Sequence, residues 1–219
     1  MRITNPKYFD PIEISGCPET LIIDEGKVFR QIVSELLTQV QNDVGDYVLY
    51  DNGEIREISK NCMIITDNFQ YSDNSRQIKS KLQQLLAEEI SGDKITTDVI
   101  SAIIRYGIAV GEKTIYPITF KTDLSASDII KMLNVGIDIS DMSDLEKLIE
   151  YLKLCKEFLK LKFIILINIK DIMNDAEYDE FIKTLQYLKI STLMIERHEH
   201  PSIDDKDHTR IIDSDLCVI

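Results

Sequence analysis

Apolar and polar side chains alternate over Pro11-Ile12-Glu13-Ile14, the period of a strand with one wet face. Leu21-Ile22-Ile23-Asp24 is a short apolar run of the kind a fully buried strand needs. Val28, Ile32, Val33, Leu36, Leu37 and Val40 then recur at helical spacing, which predicts an amphipathic helix over 27–41. Tyr47-Val48-Leu49-Tyr50 and Ile55-Arg56-Glu57-Ile58 flank Asp51-Asn52-Gly53-Glu54. Asn-Gly tolerates the positive φ angles of a tight primed turn, so the stretch reads as a hairpin. Cys62-Met63-Ile64-Ile65-Thr66 reads as another buried strand.

In the middle the spacing becomes helical. Ile78, Leu82, Leu85 and Leu86 share one face of a helix predicted over 73–90. Val99, Ile100, Ile103 and Ile104 do so for a second over 96–110. Ser125 with Asp128, and Ser143 with Glu146, have capping-box spacing; the second opens a helix predicted to reach about residue 161. Phe163-Ile164-Ile165-Leu166-Ile167 is the strongest buried-strand signal in the chain. Phe181, Ile182, Leu185 and Leu188 stripe a helix over 175–188, and Thr192-Leu193-Met194-Ile195 is a further strand. Ile211-Ile212 and Leu216-Cys217-Val218-Ile219 predict a terminal hairpin or paired short strands. Strand–helix alternation at both ends predicts an α/β protein, with a mostly parallel sheet and right-handed crossovers. An α/β head over 1–60 and 140–219 is expected, interrupted by an α-helical leg over 61–139. A polar loop is expected over 198–207.

Composition changes this picture little. Apolar residues are 44% of 219, enough for a sizeable core. No run of about 18 apolar residues occurs. No apolar signal stretch follows Arg2. A cytoplasmic protein with no membrane contact is expected. Cys17, Cys62, Cys155 and Cys217 are widely spaced, so they are expected to stay reduced and pack as small hydrophobes. Charge matters more. A net charge of −13 argues against nucleic-acid binding by the chain as a whole. Yet residues 59–139 hold nine Lys and Arg against ten Asp and Glu, and the remainder sixteen against 28. DNA binding therefore requires basic groups gathered on one surface, with the acids facing away.

The loop after the first buried strand, Asp24-Glu25-Gly26-Lys27-Val28, is where a phosphate loop would sit. It has a single glycine and two acids that repel phosphate, so nucleotide hydrolysis is not expected. His198, His200 and His208 lie in the polar loop, and exposed histidines are the simplest account. Asp171, Asp175, Glu177, Asp179 and Glu180 gather at a helix start, where they complement its dipole. Asp213 and Asp215 flank the last strand, and oxygen-rich sets of this kind could also suit calcium or magnesium. Among the basic residues, Lys153, Lys156 and Lys160 form one helical stripe; Arg76 and Lys79 form another, with Lys81 on a neighbouring face. Lys94, Arg105 and Lys113 complete the middle set. Around a closed axis such stripes could line a basic channel. They lack interleaved aromatics, so duplex backbone contact is favoured over base stacking.

The order and spacing of several segments resemble the DNA-end-binding accessory proteins of type II-A CRISPR adaptation, the Csn2 family. The carriers are Asp10-Pro11-Ile12-Glu13-Ile14, Leu21-Ile22-Ile23-Asp24 and the stretch from Ile65 through Thr66-Asp67-Asn68-Phe69-Gln70-Tyr71-Ser72-Asp73-Asn74-Ser75. They continue with Leu133-Asn134-Val135-Gly136-Ile137, similar to that family's turn into the sheet, and Lys162 to Asn168. Leu193-Met194-Ile195-Glu196-Arg197 and Ile211-Ile212-Asp213-Ser214-Asp215 close the set. The resemblance implies a head like the P-loop nucleotide hydrolases without a functional phosphate loop, plus a helical leg. It also implies a non-catalytic homotetrameric ring that threads linear double-stranded DNA, independent of sequence, beside the spacer integrase complex and the RNA-guided nuclease. No cofactor is expected to be required, and calcium is the one metal the resemblance implies. Where the family carries a dense acidic run, this chain keeps only Glu112, Asp123 and Asp128 as candidate ligands, and calcium takes about six to eight oxygens. Two other readings stand beside this one: a divergent metal-dependent nuclease or nucleotide hydrolase using Asp171 or Asp213, and an acidic protein–protein adaptor.

Overall fold

Five short apolar runs pair into one parallel sheet. In spatial order they are Cys62–Ile65 (β6), Phe163–Ile167 (β7), Ser191–Glu196 (β8), Glu19–Ile23 (β3) and Thr209–Ile212 (β9). The computed structural model describes residues 1–66, 76–198 and 209–213. It divides into two compact units, Met1–Tyr71 with Met142–Ile219, and Ser72–Asp141. The architecture is mixed α/β, as the alternating pattern implied.

A parallel sheet must be covered on both faces, because its crossovers run over them. Gly26–Asn42 (α1) covers one, through Ile32 and Leu36 against Leu21, Ile23, Phe163, Ile165 and Leu193. Asp144–Leu159 (α6) and Asp175–Leu188 (α7) cover the other, through Leu148, Leu152, Phe181 and Leu185 against Ile164, Leu166 and Met194. Every residue of β7 is buried, which is why that strand reads as unbroken apolar sequence.

The first core also reaches an antiparallel sheet of order Phe9–Glu13 (β2), Arg2–Asn5 (β1), Val48–Asp51 (β4), Glu54–Arg56 (β5). The turn between β4 and β5 places Asn52 at φ 53° and Gly53 at φ 82°, the paired left-handed geometry that Asn-Gly accepts. A short helix, Ile58–Asn61 (α2), takes Ile58 out of the expected hairpin. Strand β1 has no periodicity of its own, and its place is fixed by pairing with both β2 and β4.

Gln39, buried near the end of α1, clamps the start of β4. Its Nε2 donates to Tyr47 O at 2.7 Å, and its Oε1 accepts Tyr47 N–H at 2.9 Å. Gly45 passes so close that a Cβ there would overlap the carboxamide. Replacing Gln39 by Leu leaves two buried backbone groups unpaired and is expected to cost about 2–4 kcal/mol in urea unfolding. A loss below about 0.5 kcal/mol would show the clamp to be dispensable.

Two expectations change. The helical leg does not begin at 61, because Cys62–Ile65 is a strand of the sheet, paired with β7. Ile211-Ile212 lies in β9, which runs parallel to β3 with Ile211 opposite Ile22; its expected partner in a terminal hairpin or paired short strands, residues 216–219, lies outside the described residues. Residues 133–137 do not turn into a sheet. They follow Ala126–Met132 (α5), with Asn134 at φ 54° and Val135 packed against the Ala87–Ala126–Ile130 cluster.

The second unit contains Arg76–Ile90 (α3), Lys94–Gly111 (α4) and α5. Thr96 Oγ1 donates to Ile90 O at 2.8 Å and ties the end of α3 to the start of α4. The expected apolar stripe on α4 is half-buried at Ile100, Ile103 and Ile104 and exposed at Val99; only Thr96 of that helix is fully buried, and Tyr106 and Ile108, off the stripe, are 73% and 52% exposed. Leu85, expected on the buried face of α3, is exposed as well.

Candidate nucleic-acid interface

The turn between β3 and α1 lies where a sheet of this kind would cradle phosphates. A helix N-terminus attracts anions because its first N–H groups are unpaired. Here Glu25 is the N-cap, and its Oε2 accepts Val28 N–H at 2.6 Å. That bond, then one to Lys27 N–H, holds the Glu25 carboxyl below the usual carboxylate range. The guanidinium of Arg197 rests against Gly26, so that a Cβ at position 26 would lie 2.9 Å from Nη2. The chain's own carboxylate thus satisfies the start of α1.

Nine basic residues were candidates for DNA contact, and their surroundings differ. Lys79, Arg76, Lys81, Lys94, Arg105 and Lys113 lie in the helical unit; Lys153, Lys156 and Lys160 lie on or just beyond α6. Lys153 pairs with Glu150 at 3.1 Å. Lys156 Nζ donates to Leu188 O at the end of α7. Lys160 has left the helix: it is the C-cap, at φ 56°. The expected stripe on α6 is therefore broken. Lys79 Nζ donates to Asn134 Oδ1 at 2.7 Å. Arg76, Lys81, Lys94, Arg105 and Lys113, like Lys160, are exposed and form no ion pair among the described residues. Lys94 and Arg105 stand three turns apart on α4, on one face and about 16 Å apart along its axis. Asp98 shares that face, one turn from Lys94.

The proposed calcium ligands do not converge. Among the described residues, no group of three or more His, Cys, Asp or Glu is placed to hold a metal. Glu112 caps the C-terminus of α4, and Asp123 is exposed. Asp128 has both oxygens engaged: Oδ1 accepts Lys121 Nζ at 2.9 Å, and Oδ2 accepts Ser125 N–H at 2.8 Å and Ser125 Oγ–H at 2.6 Å. The Ser125 hydroxyl bond, then the Lys121 ammonium, hold the Asp128 carboxyl far below its ordinary range.

The other acidic and histidine candidates are scattered too. In the acidic run before α7, Asn174 and Glu177 form a capping box, so Glu177 serves the helix end. Asp171 lies in the single turn Lys170–Ile172. His198 is exposed; His200, His208 and Asp215 lie outside the described residues, as does the 67–75 part of the segment beginning at Ile65. Cys62 and Cys155 are buried and unpaired, and burial pushes the Cys155 thiol up to about 11.

One carboxyl at the end of the parallel sheet was not anticipated. Glu196, only 2% exposed, ends β8 on the same face as Met194. Its Oε1 accepts Lys170 N–H at 3.2 Å, and its Oε2 has no partner. Asn168, the residue after β7 and already at φ 52°, has a buried Oδ1 that is unpaired as well. Burial pushes the Glu196 carboxyl up to about 7. The sequence signal was a carboxylate at the end of a buried run, which looks there like an ordinary loop acid.

The family model described as "CRISPR-associated protein (Cas_Csn2)" matches residues 39–216. No helix among the described residues is long and apolar enough to cross a membrane.

Proposed function

The chain belongs to the Csn2 family of CRISPR-associated proteins, and on that premise we propose that it binds the ends of double-stranded DNA, without catalysis, as a homotetrameric ring clamp in spacer acquisition. The observation that carries this reading is the sorting of its cations. Lys153 and Lys156 on α6 are tied to the protein's own acceptors and Lys160 is exposed at its C-cap, while five of the six candidates on the helical unit, Arg76, Lys81, Lys94, Arg105 and Lys113, are exposed and form no ion pair among the described residues. Free cations on a nearly neutral unit can displace counterions from phosphates, and phosphate contacts carry no sequence information. The Glu25 cap supports a sheet that resembles nucleotide hydrolases without binding a nucleotide phosphate at that turn.

Self-assembly has its own support. The helical unit exposes the large apolar side chains Ile95, Tyr106, Ile108, Ile115 and Tyr116, which a partner would cover. A second copy of the chain is the occupant proposed. A closed ring would gather the cations of several subunits around one duplex. The spacer integrase complex and the RNA-guided nuclease are the proposed protein partners.

Gel shifts with linear and covalently closed circular duplex of equal length test the reading, run at about 50 and 200 mM salt. Linear DNA is expected to bind at least tenfold better, with affinity falling about a thousandfold or more across that range for six or more phosphate contacts. Equal, salt-indifferent binding of both forms, or none, sinks the proposal. Light scattering should give four times the 25.2 kDa chain mass; a stable monomer would remove the ring.

A further inference from the structure

We propose that the segment following α4 is held by a metal-free clasp, so that the helical unit is folded and closed without calcium. The clasp has two parts. In the first, α4 offers a notch at Gly107 and Gly111, one turn apart on the same face. The ring of Phe120 lies in the notch: a Cβ on Gly107 would come within 2.7 Å of Phe120 Cδ2 and Cε2, too close for any side chain but hydrogen. Ile118 lies over Gly111, where an added Cβ would be 3.9 Å from its Cδ1.

The second part is ionic. Lys121, next to Phe120, places its ammonium 2.9 Å from Asp128 Oδ1. Asp128 is simultaneously the reciprocal partner of the Ser125 cap that starts α5. One carboxylate thus anchors both the returning segment and the next helix. A dication at this carboxylate would have to displace the Lys121 ammonium and break the bonds to Ser125. It would also meet three lysines, Lys113, Lys121 and Lys131, against three carboxylates over 112–131. Calcium needs about six to eight oxygens with a surplus of negative charge. The donor set of this chain does not fit that requirement. An apolar plug and a resident ammonium do the closing instead.

The inference rests on the family reading only for the question of which metal to test; its readouts need no DNA. The full chain is titrated with CaCl2 by calorimetry, and its melting temperature is compared in about 5 mM CaCl2 and in EDTA. No saturable heat and equal melting temperatures are expected. Saturable binding tighter than about 1 mM, or a calcium-dependent rise of about 5 °C or more, overturns the proposal. Limited trypsinolysis after Lys113 and Lys121 then reads the clasp directly. Cleavage is expected to be indifferent to EDTA in the native chain and about tenfold faster in Phe120→Ala, with calcium unable to restore protection. Cleavage that EDTA accelerates, or that Phe120→Ala leaves unchanged, rejects it. Circular dichroism of Phe120→Ala separates an opened clasp from an unfolded unit. If that variant unfolds, Lys121→Gln replaces it, read at Lys113 alone because the substitution removes the site at 121, with an about threefold faster cleavage expected and an unchanged rate rejecting the clasp. A gel shift that failed while these measurements succeeded would sink the DNA reading and leave the clasp standing.

Discussion

Glu196→Gln is expected to raise stability at pH 8 by about 3 kcal/mol and to remove most of the fall in stability between pH 4.5 and 7. Burial disfavours the charged form and pushes the native carboxyl up to about 7, from the ordinary 4.5 that the unfolded chain retains. Asp171 adds like charge, whereas bonds from Lys170 and Ile169 N–H and the charge of Lys170 act in the opposite direction. Between those two values the folded state holds a proton that the unfolded state has released, so stability falls as pH rises through the window and is flat above it. At about 1.36 kcal/mol for each tenfold change in proton affinity, the rise from 4.5 to about 7 corresponds to the figure above, to order of magnitude.

Gln keeps an acceptor for Lys170 N–H and supplies an uncharged donor where Oε2 finds no partner. Urea titrations at pH 5 and 8 measure the effect. Asp128, Glu25 and Glu146, whose carboxyls are depressed, contribute in the opposite sense. Their stabilisation is lost as pH falls below the usual carboxylate range, so the two effects occupy separate windows. Equal stability of the variant and the native chain at pH 8 would show that Glu196 is charged and solvated there.

Where one element buries one continuous apolar stripe, the sequence was enough to read the fold. Phe163–Ile167 is buried at every position because both faces of the sheet are covered. The boxes at Ser125 and Ser143 close as their spacing implied, since each needs only residues three apart. Failures arose where structure depends on distant partners. Strand β1 offers Ile3 alone to the core, and two neighbouring strands hold it. Gln39 reads as a polar helix residue until Tyr47 is brought against it. The apolar positions of α4 kept their helical period, but periodicity does not tell whether the face is covered by the same chain. The same limit applied to the cations: Lys153, Lys156 and Lys160 share a stripe by count, but only the structure shows Glu150 and Leu188 O engaging the first two and the helix ending before the third.

Reversing Lys94 and Arg105 to Glu is expected to weaken duplex binding about a hundredfold at 100 mM salt. The slope of log K against log salt should flatten by about 1.8 for each subunit engaged, since each lost phosphate contact removes about 0.9. Both side chains are exposed on one face of α4, and among the described residues neither is held by a carboxylate, so neither must break an ion pair to reach a phosphate. Lys153→Glu is the matched control. Its ammonium is already shared with Glu150 on α6, and its reversal is expected to change affinity less than about threefold. Because the three positions are exposed, the variants should melt within about 2 °C of the native chain, which keeps the comparison free of unfolding. A protein that acts only as an acidic adaptor gives no salt slope to flatten. A channel lined by α6 would reverse the order, making Lys153 the costlier change. The ratio of the two losses therefore decides which helix meets the duplex: Lys94 and Arg105 can release counterions at no cost in protein contacts, whereas Lys153 must first give up Glu150.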